Sequence, residues 1–127
     1  MNLSDAPVTA TLIVSDINAA KAFYTEKLGL KQVAEITEDM GLMFEAGAGT
    51  KLYVYQSTLP TPQNTVAGFK VDDVLATVNE LKAKGVTFEA YDMEPIKTDE
   101  NNIAQMGNLQ AAWFKDPSGN ILAVANQ

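Results

Sequence analysis

The sequence predicts an α+β fold built from two copies of one β-α-β-β-β unit, residues 7–55 and 65–126. Three observations carry that expectation. Two strand-turn-strand stretches 70 residues apart align without a gap, so that Phe44 falls on Phe114, Gly49 on Gly119, Leu52 on Leu122 and Val54 on Val124. Two helix starts align as well, Val14-Ser15-Asp16-Ile17 with Val71-Asp72-Asp73-Val74, and a glycine (Gly29, Gly85) closes each helix. Between the copies lies QSTLPTPQN, residues 56–64, whose two prolines and small polar residues read as a linker. The aligned apolar positions are kept while their neighbours vary, as expected of a repeated structural unit.

In the first copy, residues 8–14 alternate, with Val8, Ala10, Leu12 and Val14 on one face and Thr9, Thr11 and Ile13 on the other. Ser15-Asp16 supplies an N-cap, and residues 17–28 read as one helix with Ile17, Ala20, Phe23, Tyr24 and Leu28 on its apolar stripe. Residues 30–36 form a strand, and residues 42–45 and 51–55 form a hairpin. In the second copy, residues 66–71 repeat the first strand, residues 74–84 form a helix burying Val74, Val78 and Leu81, and residues 86–90 form the next strand. The last hairpin is the clearest element. Asp116-Pro117-Ser118-Gly119 has the chemistry of a type I turn closed by a left-handed glycine, which pairs Lys115 with Ile121, Phe114 with Leu122 and Trp113 with Ala123. Asp116 therefore reads as a turn residue. The polar segment 91–110 departs from the first copy and is either a lid over a pocket or an insertion of no consequence.

Composition narrows the chemistry. The chain has 127 residues, no cysteine and no histidine, so thiolate chemistry, disulfides, histidine ligands and a serine triad are all excluded. A net charge of −7 argues against nucleic acid, whose phosphates demand a lysine and arginine footprint. It would favour a cationic ligand, although acidic surfaces are common solubility devices and that account is the stronger. No apolar run approaches the ~20 residues of a membrane span, and residues 1–7 lack a signal peptide's regions, so the expected location is cytoplasmic.

Val14-Ser15-Asp16, Ala22-Phe23-Tyr24, Leu28-Gly29-Leu30 and Trp113-Phe114-Lys115-Asp116-Pro117-Ser118-Gly119-Asn120 together resemble the vicinal oxygen chelate superfamily of glyoxalases, bleomycin-resistance proteins and extradiol dioxygenases. The resemblance covers nearly all of residues 7–126 and implies curled mixed sheets around a cavity, and a homodimer. Its metal-dependent members place His, Gln or Glu ligands at positions that here are Thr9, Tyr53, Val66 and Ala123. Val and Ala have no donor atom, so the expectation is no metal and no cofactor.

Alternation places Thr9, Thr11, Ile13, Met43, Glu45, Tyr53, Tyr55, Val66, Gly68, Lys70, Trp113, Lys115, Ala123 and Ala125 on the cavity face. Two tyrosines, a tryptophan and a methionine among small residues suit a planar or partly apolar small molecule. Gly68 either leaves room for a ligand or relieves a tight sheet contact, the latter being the better account. Glu45 and Lys70 are either an acid/base pair or, more simply, a rim ion pair. The preferred function is small-molecule binding, as in drug-sequestering members of the superfamily. The alternative is a lyase-like or dioxygenase-like enzyme using an atypical metal or none.

Overall fold

The computed structural model describes residues 2–33 and 41–127. The chain divides into two units, Met1–Thr61 and Pro62–Gln127.

The first unit holds a mixed four-stranded sheet of β1 (Thr9–Val14), β2 (Lys31–Gln32), β3 (Leu42–Glu45) and β4 (Lys51–Gln56), in the order β1-β4-β3-β2. β1 runs parallel to β4, and the other neighbours are antiparallel. Leu12, Val14, Leu42, Phe44, Leu52 and Val54 are buried on one face. The helix α1 (Ile17–Ala22) starts where expected, with the Asp16 carboxylate accepting from the Asn18 and Ala19 amides at 3.0 and 3.1 Å. It does not run on to Leu28 as one α-helix. Residues Phe23–Lys27 open into a π-turn, in which the Leu28 amide reaches the Phe23 carbonyl. The wider turn lets two consecutive aromatics point inward. Tyr24 is fully buried, 5.6 Å from the Phe44 ring and 5.3 Å from Phe23 edge-on. Of the strand expected over 30–36, β2 and the Val33 amide, bonded to the Met43 carbonyl at 2.7 Å, are seen. Leu30 is still part of the helix end, its amide donating to the Tyr24 carbonyl at 3.0 Å, and residues 34–36 lie outside the described residues.

The second unit repeats the plan with β5 (Thr65–Lys70), α2 (Val74–Ala83), β8 (Ala104–Met106), β9 (Leu109–Lys115) and β10 (Ile121–Ala125), in the order β5-β10-β9-β8. Asp73 caps α2 by accepting from the Ala76 amide at 3.0 Å, and Val74, Val78 and Leu81 are buried. The β9–β10 register is the one read from the turn. Asp116 is buried there, its carboxylate accepting from the Ser118 amide, the Asn120 amide and the Asn120 side chain at 2.9 Å each.

One expected strand does not form. Residues 86–90 make a single bridge, Phe88 to Phe114, and the Glu89 amide donates to the Trp113 carbonyl at 2.7 Å. The outer edge of β9 is shared, and β8 takes its other end, Ala104 against Ala111. Val86 and Phe88 bury themselves without a ladder, so their alternation was a packing signal. The fourth strand comes from within the segment 91–110, which also forms a small hairpin of β6 (Asp92–Met93) and β7 (Ile96–Lys97).

A second departure lies in β5. Thr65 pairs with Ile121 and Ala67 with Leu122, so Val66 is an extra residue in a bulge and strict alternation fails there.

Candidate functional site

Residues in register across a sheet project to the same side, so pairing sorts each face into rows. On the first sheet, the face away from the buried core has three. The first is Thr9, Lys51, Glu45 and Lys31; the second is Thr11, Tyr53 and Met43; the third is Ile13 and Tyr55. Charged groups thus occupy one end of the face, and aromatic and apolar groups, with Thr11 among them, the rest. Tyr53 and Tyr55 stack, with ring centroids 5.9 Å apart and planes 28° apart. Tyr55 is 38% exposed and Tyr53 is half-buried. Gly41, which strand alternation does not single out, leaves the room this arrangement needs. A Cβ there would come within 2.8 Å of the Tyr53 hydroxyl and of the Val54 carbonyl, and the backbone sits at φ +113°. Its only signal in the sequence was a glycine immediately before a strand.

The second sheet, taken by itself, carries different rows. Gly68, Ala123 and Trp113 form one row and Lys70, Ala125, Ala111 and Ala104 another, with Lys115 beside Ile121 in the third. Tyr91, Ile96 and Met106, all from the segment 91–110, pack onto the cluster of Ala104, Ala111, Trp113 and Ala123. Trp113 is 9% exposed, with the Tyr91 ring edge-on at 5.5 Å. Lys115 is drawn to Glu89 at 3.4 Å. Burial, with Glu89 adding to it, pushes the Tyr91 phenol above its ordinary value. Gly68 does not relieve a tight contact. A Cβ there would meet the Ala123 carbonyl at 3.9 Å and the Ala123 methyl at 4.0 Å, ordinary spacing, so a side chain would fit.

The expected Glu45–Lys70 pairing has local competitors. Glu45 lies in register with Lys31 and Lys51 of its own sheet, and Lys70 is exposed at the end of β5 beside Ala125.

The four positions of the family's metal site fit a resident divalent ion poorly. Thr9 is in register with Lys51 and Tyr53 with Thr11, one row apart. Val66 is the bulged residue, Ala123 pairs with Gly68, and neither Val66 nor Ala123 carries a donor. Among the described residues no three His, Cys, Asp or Glu side chains gather as a metal-holding group. Among the described residues no helix is long and apolar enough to cross a membrane.

Comparison with known proteins agrees with this architecture. The Glyoxalase/Bleomycin resistance protein/Dioxygenase superfamily model matches residues 7–124, and the chain belongs to that superfamily. It is 27% identical to YurT, an uncharacterized protein of Bacillus subtilis (strain 168), over 94% of this chain and 98% of that one. Among solved structures it is similar to TnmS3, an antibiotic binding protein from Streptomyces sp. CB03234, at 25% identity and a TM-score of 0.67, over 94% of this chain and 93% of that one. It also shares its fold with a lactoylglutathione lyase from Agrobacterium tumefaciens, at 20% identity and a TM-score of 0.69, over 95% and 92% of the two chains. A binding protein and an enzyme thus share the scaffold, and the residues on it must decide between them.

Proposed function

We propose that this protein is a metal-independent small-molecule-binding protein that captures a flat, partly aromatic ligand on the open face of its first sheet. The observation that carries the reading is the stacked Tyr53–Tyr55 pair, which leaves aromatic surface exposed beside Thr11, Ile13 and Met43. Flat rings gain by stacking on such a surface, and the neighbouring hydroxyls and thioether adapt to ligand shape. The Trp113 surface contributes less, because Tyr91, Ile96 and Met106 already cover it. The similarity to TnmS3 supports a sequestering role, in which the ligand is held stoichiometrically. The protein acts as a homodimer in the cytoplasm on this reading, and sedimentation velocity should return twice the 13.7 kDa chain mass.

The test is calorimetric titration with a panel of polycyclic aromatic antibiotics and simple arenes. Saturable binding of one ligand per chain is expected, and Tyr53→Ala should weaken it about tenfold, the loss of one good aromatic contact. Indifference of Tyr53→Ala, or turnover that depends on one tightly held divalent ion per chain, would return the enzyme alternative.

A further inference from the structure

The rows of the first sheet carry a statement about ligand chemistry that the net charge does not suggest. Resting on the proposed binding reading, we propose that the ligand is an aromatic anion, with its rings on Tyr53 and Tyr55 and its carboxylate or phenolate against Lys51 and Lys31. The acidic chain as a whole would attract cations, but contact chemistry is decided within a few ångströms, where distant charges are screened.

The row next to the tyrosines runs Thr9, Lys51, Glu45, Lys31. It offers two ammonium groups and a hydroxyl against one carboxylate, so it is locally positive in a chain of net charge −7. Among the described residues neither lysine is held in an ion pair, whereas Lys97 and Lys115 elsewhere are. Lys51 is half-buried, directly between Thr9 and Glu45, and its row lies two residues from the Tyr53 row on the same strand. Two residues of strand span about 7 Å, the distance from the middle of a fused ring system to an acidic substituent on its edge. A cationic ligand placed the same way would bring its charge to Lys51 and Lys31, with only Glu45 to receive it. A neutral arene would use the tyrosines and leave the row in water.

Three probes of one shape separate these cases: 2-naphthoate, 2-naphthylmethanol and 2-naphthylmethylammonium, titrated into the full chain at low and high salt. Naphthoate should bind about two- to fivefold tighter than the alcohol, the size of effect one partly exposed charge pair supports, and the ammonium weakest. Lys51→Gln should erase that preference while keeping the affinity for the alcohol, Glu45→Gln should enlarge it, and high salt should shrink it. Circular dichroism and urea unfolding of both variants should match the parent, since both positions are at a sheet surface. Equal affinity for acid and alcohol, tightest binding of the ammonium, or a naphthoate preference that survives Lys51→Gln would overturn the aromatic-anion assignment and leave the stacking reading standing. Failure of all three probes to bind would remove both.

Discussion

Asp116 closes the turn between β9 and β10. Its carboxylate accepts three hydrogen bonds inside a turn where it is only 4% exposed, so no oxygen is offered to a substrate. Asp116→Ala strands the Ser118 and Asn120 amides and the Asn120 side chain. Charge-assisted bonds of this kind are worth about 1.5–3 kcal/mol each, though they overlap in one small turn. A total loss of about 3 kcal/mol in urea unfolding is expected, with ligand affinity unchanged in the folded fraction. Gly41 is the opposite case. A glycine before a strand carries no obvious message, and the reason for it becomes visible only once the Tyr53 ring and the Val54 carbonyl are seen beside it.

At the scale of elements, the segment 91–110 is the informative difference between the two units. A stretch of polar residues with Pro95 and Gly107 reads as loop, yet it supplies a hairpin, the edge strand β8 and the side chains that cover Trp113. The local pattern hid this because Tyr91, Ile96 and Met106 are apart in sequence and meet only across the folded sheet. Trp113 is the single tryptophan, so its emission reports on that covering. Tyr91→Ala should shift the emission to longer wavelength and raise acrylamide quenching, and an unchanged spectrum would mean that Tyr91 does not shield the indole. The same tyrosine sets a pH dependence. Its phenol is raised above 10.0 in the folded chain, so the folded state holds the proton longer than the unfolded one. Its contribution to stability is complete below pH 10 and is lost as pH rises through the folded value. Tyr91→Phe should therefore flatten the fall in stability above pH 10, measured by urea midpoints.

For the molecule as a whole, charge is the dominant global property. A net −7 on 127 residues is self-repulsive. The Asp92–Lys97 and Glu89–Lys115 pairs, at 3.8 and 3.4 Å, are both substantially exposed and offset little of it. Raising sodium chloride from 10 to about 300 mM screens the repulsion and should raise the melting temperature by a few degrees. A fall instead would mean that attractive pairs outweigh it.

The repeated unit, its caps, its turn and most of its core were written into the sequence, because each rests on contacts between residues near in the chain or on a fixed period. Asp16, Asp73 and the 116–119 turn act within four residues, and Leu12, Phe44, Val54, Phe114 and Leu122 follow strand alternation into the interior. Tertiary structure decided the rest. It gave the outer edge of β9 to β8, placed Val66 in a bulge, laid Tyr53 over Gly41 and closed Trp113 beneath the hairpin segment. Each of these turns on which backbone edge or ring surface is already occupied when a segment arrives, and occupancy is a property of the folded chain that no local pattern encodes.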